Sequence, residues 1–392
     1  MTPEFKDYKL RLIKPDFESP LTDTIIELEH LRKLIITCTT PSTYFLQIKK
    51  IFHLMESLGS ARIEGNRTTI PEYIELSKEP ATLQTRQQEQ LKEITNIENA
   101  LNIIDENVND GFQITEFFIK SLQQVVVEGL TTEGDESSGS YRKKQVRISG
   151  SQHLPPDMIS VPSYMTELVN FINEDHGHKY DLLKVALVHH RFGWIHPFGN
   201  GNGRTVRLLT YAMLLKYGFN IGDYGRLINP TAIFCCDREK YYEMLSIADE
   251  GTDNALLTWS KYVLDGLLNE RKKLNVLLDY ESVKTKIFKP AIDSALSNGF
   301  ISKDEHKLIS FISQNGSIAA SMISKEFNLT TDQASYRIKS LKKKGLIVPS
   351  KDNSREYFLD ISSSAMKFGI INTLAKLKLI PQSLFTNEKV KS

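Results

Sequence analysis

Apolar residues recur at three- and four-residue spacing through nine long segments of this chain: 25–36, 44–64, 85–105, 114–128, 163–174, 181–193, 203–217, 237–248 and 254–280. That period is the signature of helices with one buried face, and it leaves little room for a large sheet. The fold class it predicts is all-α. The main interruption, GSYRKKQVRISGSQHLPPDMISV (139–161), alternates polar and apolar residues around Val146 and Ile148, then breaks at Gly150 and Pro155-Pro156. It reads as a short β-hairpin. Beyond about residue 280 the texture changes: three short helices (304–314, 317–327, 331–344) precede two strands within 345–360. Helix, helix, helix, hairpin is the order of a winged helix-turn-helix, with Thr330 or Thr331 capping the third helix and Gln333, Ser335, Tyr336, Arg337 and Lys339 pointing outwards.

Charge and composition exclude more than they name. Forty-nine Lys and Arg against 48 Asp and Glu give a net charge of +1, so no global basic field holds the chain on nucleic acid or an anionic membrane. Any such contact must be local, and five basic residues against Asp332 in 331–344 are the one candidate, read as DNA contact, protein docking or a solvated face. The cysteines, Cys38, Cys235 and Cys236, do not make a disulfide framework. With no apolar leader near the first residues and no 18-residue uncharged stretch, the expectation is a cytoplasmic protein without membrane contact.

The chemistry sits in IHPFGNGNGRTVRLLTYAMLL (195–215). Gly199, Gly201 and Gly203 end one helix near Trp194 and open another, and backbone N–H groups at such a start converge on an anion. Arg204 and Arg207 lie three apart and project from one helix face. With Asn202 they suit several phosphate oxygens rather than one carboxylate. His196, just before the loop, is the side-chain type that takes a proton near neutral pH. A Walker loop is excluded, because Arg204-Thr205 follows the last glycine where Lys-Ser/Thr is required. A Rossmann fingerprint is excluded by the helical residues that precede the glycines. His189, His190 and His196 lack the H-E-x-x-H or cysteine partners of a zinc site. His189 reads as a core histidine that hydrogen-bonds the loop backbone.

HPFGNGNGRTVR resembles the signature of the Fic family, H-x-F-x-[DE]-G-N-G-R-x-x-R, and the pattern continues upstream to His189. The resemblance covers roughly residues 45–270. It implies a helical core with a β-hairpin flap and transfer of AMP from ATP to a Tyr, Ser or Thr hydroxyl of a target protein or of the chain itself. His196 would be the general base and Phe198 would anchor the loop. Gly199 and Asn200 would complete the phosphate loop, Gly201, Asn202 and Gly203 would form the anion hole, and Arg204 and Arg207 would hold the β- and γ-phosphates. The family's acidic metal ligand falls at Asn200, which brings no charge to Mg²⁺ or Mn²⁺. Tyr241 and Tyr242 are the adenine-stacking candidates, with Tyr242 favoured, and Val146, Arg147 and Ile148 would dock the target from the flap. Trp259 and Tyr262 read as core, and His153 as structural.

A second resemblance lies at ESLGSARIEGN (56–66), similar to the family's inhibitory motif [ST]-x-x-x-E-[GN] through Ser60, Glu64 and Gly65. Glu64 would stand in the last helical turn, where its charge opposes the helix dipole by about 0.3–1 kcal/mol. A salt bridge to Arg207 would compensate and would occupy the arginine needed for ATP. The expected layout is therefore 1–110 (an N-terminal helical region with the inhibitory helix at about 52–65), 111–280 (catalytic core), 281–375 (winged helix) and 376–392 (tail). The alternative is a winged-helix DNA-binding regulator whose core senses nucleotide without turnover. Homodimerisation stays open.

Overall fold

The computed structural model describes residues 4–33, 38–77, 84–219, 230–351 and 354–385. The N-terminal half runs α1 (Pro20–Lys33), α2 (Ser42–Ile63), α3 (Ile70–Leu76), α4 (Thr85–Asn107), α5 (Glu116–Val127), α6 (Val161–Asn173), α7 (Asp181–Ile195) and α8 (Asn202–Lys216). Then follow α9 (Pro230–Cys235), α10 (Arg238–Ala248), α11 (Asp253–Lys273) and two short helices, α12 (Asn275–Leu278) and α13 (Tyr280–Ser282). The C-terminal part comprises α14 (Lys289–Ser297), α15 (Lys303–Asn315), α16 (Ala320–Glu326), α17 (Thr331–Lys343), β1 (Ile347–Pro349), β2 (Tyr357–Leu359) and α18 (Lys367–Lys376). All nine helical segments read from periodicity are helices, and the all-α class holds. The end of the first segment, 34–36, and residues 386–392 of the tail lie outside the described residues.

Sequence chemistry explains the helix starts. Thr69, Thr115, Asp237, Thr252, Ser302 and Thr330 each accept a backbone N–H from the first turn of the helix they precede. At the C-terminus of α2, Gly65 takes φ +109°. The Gly65 N–H then donates to the Arg62 carbonyl and the Asn66 N–H to the Ala61 carbonyl, a Schellman closure. Helix α7 sits at the centre, with residues 181–192 all buried, its polar Asp181, Lys184, His189, His190 and Arg191 included. It packs on α8, α6 and α11, while α2 packs on α4 and α9.

Two expectations need correction. Residues 139–161 contain no ladder; the two-stranded sheet is β1–β2, antiparallel with Val348 opposite Phe358. Side chains take the carbonyls that a hairpin at 139–161 would use. Arg142 donates to the Lys144, Pro156 and His196 carbonyls, and Gln145 to that of Pro155. Pro155 and Pro156 bring no N–H of their own. The segment is an irregular strap, joined to the N-terminal segment by an isolated bridge between Glu4 and His153. His189, in turn, does not bond the loop backbone: its ring meets Thr210 Oγ1 at 2.7 Å and the Tyr241 hydroxyl at 2.9 Å.

Residues 303–359 take the order read from the sequence, with Thr330 as the cap of α17. They are fastened to the start of α2. The Tyr44 hydroxyl donates to the Gly316 carbonyl at 2.7 Å and accepts the Leu359 N–H at 3.2 Å. One turn on, Gln47 donates to the Leu359 carbonyl at 3.1 Å and accepts the Ile361 N–H at 2.9 Å. Tyr44→Phe keeps the packing but strands the Leu359 N–H, and a loss of about 1–3 kcal/mol in unfolding free energy is expected by chemical denaturation.

Candidate active site

The loop between α7 and α8 is built on backbone geometry. His196 ends α7 in the left-handed region at φ +49°, which turns the chain out of the helix. Phe198 is fully buried and packs near Phe192 and Tyr141. Gly201 caps α8 at φ +79°, and a Cβ there would lie 2.8 Å from Val127. No residue with a side chain fits that turn without strain. The N–H groups of the first turn of α8 therefore face the loop with the positive end of the helix dipole behind them.

Asn202 behaves differently from its expected role. Its side chain is buried, with Oδ1 accepting the Phe198 N–H and Nδ2 donating to the Phe198 carbonyl, both at 2.9 Å. It closes the loop on itself, and only its backbone remains for an anion. Asn200 is also engaged: its amide oxygen accepts from the Gly201 N–H at 2.7 Å and from Arg204 at 3.3 Å. Among the described residues no group of three His, Cys, Asp or Glu is placed to hold a metal ion. Asn200 as held does not fit the part of a metal ligand, and positive charge at the site comes from its two arginines.

Both arginines are buried and both are paired. Arg207 donates from Nε to Ser60 Oγ at 2.8 Å, and from Nη2 to the Ser60 carbonyl at 3.0 Å and Glu64 Oε1 at 2.8 Å. Burial by itself would raise the Glu64 pKa, but Arg207 and then Arg204 outweigh it and hold the carboxyl below its usual range. Ser60 and Glu64 thus meet Arg207 at the site, with Gly65 turning the chain directly after them. Arg204 is also held: Nη1 donates to Glu93 at 3.0 Å, and Nη2 to the carbonyl and carboxylate of Glu133 at 3.1 and 3.3 Å.

His196 is half-buried, and burial pushes its pKa down to about 4, with Arg142 adding to the effect. Its ring hydrogen-bonds the Gly193 carbonyl. One ring nitrogen is then the donor, and the other keeps its lone pair. Tyr242 is 43% exposed, with its hydroxyl donating to the Ile63 carbonyl at 3.4 Å beside Glu64, whereas Tyr241 is buried against His189, Phe234 and Trp259. Of the two, only Tyr242 offers a face to a ligand. His190 binds Tyr8 and Asp249, so among the described residues it shares no partner with His189. His153 accepts a structural part, stacked on Trp194 and bonded to its carbonyl at 2.8 Å.

Sequence reading missed Glu93, Glu133, Gln123, Asp135 and Arg142. Gln123 donates to Asp135 and to the Asn200 carbonyl and accepts the Gly139 N–H, joining α5, the strap and the loop. A polar residue on the otherwise apolar face of α5 was the only available signal. For His196, the depressed pKa means that the folded chain keeps a neutral ring where an exposed histidine has already taken a proton. Imidazole resonances in an NMR pH titration should stay at their neutral positions down to about pH 5, and the stability this contributes is lost as pH falls from about 6.5 towards 4.

The chain is similar to known proteins over the region that holds this loop. Residues 113–214 match the Fic/DOC family. The chain is 25% identical over 228 residues to the protein adenylyltransferase Fic of Drosophila virilis, covering 58% of this chain and 44% of that protein. With its Drosophila melanogaster counterpart the figures are 28% over 200 residues, 51% and 37%. The chain thus spans less than half the length of these relatives. A Fic family protein from Desulfovibrio desulfuricans G20 shares the fold at TM-score 0.51 and 17% identity, over 86% of this chain and 94% of that one. A Fic domain containing signaling protein from Bacteroides thetaiotaomicron does so at 0.52 and 20%, over 65% and 96%. The matched stretch, residues 113–214, carries His196, the glycine loop and both arginines, and it is this stretch that is similar to the Fic/DOC family.

Proposed function

We propose that the protein is an adenylyltransferase that moves AMP from ATP to a Tyr, Ser or Thr hydroxyl of a target protein or of itself, held in check by Glu64. The observation that carries this reading is the grip of Ser60 and Glu64 on Arg207, set beside a neutral His196 and an anion-binding helix start. The substrate hydroxyl oxygen attacks the α-phosphorus, the bond to the β-phosphate bridging oxygen breaks, and pyrophosphate leaves. His196 takes the hydroxyl proton on its free ring nitrogen. Backbone N–H groups of Gly201, Asn202 and Gly203, together with Arg204 and Arg207, stabilise the charge that moves onto the leaving group. Tyr242 stacks on adenine, a contact worth about 1–3 kcal/mol by analogy with base stacking elsewhere.

While Glu64 holds Arg207, the γ-phosphate loses its cationic partner and the α-phosphate is misaligned for attack. The strap presents Val146, Arg147 and Ile148 to an extended target segment. The exposed face of α17, with Gln333, Tyr336, Lys339, Lys342 and Lys343, supports recruitment of DNA or protein through 331–350, although Lys344 is already paired with Glu305. No described helix is long and apolar enough to cross a membrane.

With α-labelled ATP, Glu64→Gly should raise label transfer at least about ten-fold, equivalent to 1.4 kcal/mol off the barrier. His196→Ala in that background should abolish it. ATP binding by Glu64→Gly without any transfer would favour the nucleotide-sensing regulator instead. For 331–350, removing Lys339, Lys342 and Lys343 should flatten the salt dependence of duplex binding by about one unit of slope per lost phosphate contact.

A further inference from the structure

Glu93 is a buried carboxylate that the reaction above does not use. It lies on α4, is 4% exposed, and its two oxygens face different partners. Oε1 accepts from Arg204 Nη1 at 3.0 Å, and Oε2 accepts from Asn66 Nδ2 at 2.9 Å. Asn66 stands two residues beyond Glu64, in the turn that closes α2. It is itself fully braced: its N–H donates to the Ala61 carbonyl, its Oδ1 accepts the Thr68 N–H at 3.0 Å, and its Nδ2 also reaches the Gln90 carbonyl at 3.0 Å.

The two arginines are therefore tied to the same turn by separate routes. Arg207 is held directly by Ser60 and Glu64. Arg204 is held through Glu93 by Asn66. On the other side Arg204 meets Glu133, whose side chain is 36% exposed and screened by water. Among the described residues the Nε of Arg204 is buried without a partner, and the bonds that aim its guanidinium are made by its two terminal nitrogens. Of the groups that aim it, Glu93 is the one shielded from solvent, where a charge-assisted bond is strongest.

We infer that Glu93 is a positioning residue that aims Arg204 at the phosphates and couples that aim, through Asn66, to the same turn that carries Glu64. The inference rests on the nucleotide-binding reading of the site. It makes the brake a device acting on two arginines: movement of the 64–66 turn frees Arg207 and shifts the support of Arg204 together.

The test uses full-length chain in the Glu64→Gly background and reads ATP affinity by equilibrium titration alongside KM and kcat for AMP transfer. Glu93→Gln preserves shape but offers one acceptor and one donor where both neighbours are donors, so one of the two bonds must be lost. Expected is an ATP Kd about ten-fold weaker, with KM rising in step and kcat changed less than two-fold, as for loss of one charge-assisted bond. Asn66→Ala, which leaves the Glu93 carboxyl in place, should weaken Kd about three-fold, and its effect should vanish when Glu93 is already Gln, as for residues acting through one another. Kd within two-fold of the Glu64→Gly parent in both variants overturns the inference, as does full additivity of the two. A fall in kcat with unchanged KM, from a smaller folded fraction, also overturns it. ATP binding without AMP transfer by the parent refutes the transferase reading and leaves the positioning claim to be decided by the Kd ratios.

Discussion

A guanidinium cannot be buried alone, and Arg207 is buried almost completely. Taking such a charge out of water costs several kcal/mol, and only close pairing with good hydrogen bonds offsets it. Ser60 and Glu64 supply that pairing from α2, more than 140 residues earlier in the chain. Much of the architecture answers this demand. Helix α2 must end where it does, with Gly65 turning the chain, so that Glu64 lies over the start of α8. Helices α4 and α9 pack α2 into place, and α8 must present Arg207 on its inner face. The pair also resolves a local conflict, because a carboxylate at a helix C-terminus opposes the dipole unless a cation meets it.

The second constraint is the turn between α7 and α8. His196 leaves α7 with a positive φ, which a residue bearing a Cβ adopts only when its surroundings enforce it. Arg142 contributes that enforcement: its N–H donates to the Pro197 carbonyl and its Nε to the His196 carbonyl. The strap is thus no independent ribbon. It is the outer support of the loop, which explains why Arg142 and Gln145 bond inwards and why strand pairing there gives way.

How much of this could be read in advance divides along physical lines. Helix identity was legible because the 3.6-residue period extends through segments such as 85–105 and 203–217. The glycine loop was legible because its residues are contiguous, so spacing alone places Arg204 and Arg207 on one face. Glu64 was legible as a charge in need of a partner. The strap misled because alternation around Val146 and Ile148 carries no information about the side chains that would compete for its carbonyls. Asn202 misled because an amide suits an anion and a backbone clamp equally well. Glu93 was invisible: on a helix with many polar residues, nothing local separates a solvated glutamate from one turned towards an arginine 111 positions away.

Gly203 has an ordinary φ, so its backbone does not require glycine. A Cβ there would lie 2.1 Å from Glu64 Oε1 and 3.1 Å from Arg207 Nη1. The volume that any other residue would fill belongs to a carboxylate carried by a different helix. Glu64 is in this sense a tethered ligand, present at an effective concentration of about millimolar or higher. The tether is stiff, because α2 is a continuous helix whose far end is pinned by Tyr44 and Gln47 to β2 and the residue after next. On the function proposed above, a free anion would meet competition from a group that never diffuses away, and the occupancy it reached would depend on how firmly both ends of α2 are held. Affinity at this loop would accordingly be a property of the whole length of that helix, down to its contact with the C-terminal strand.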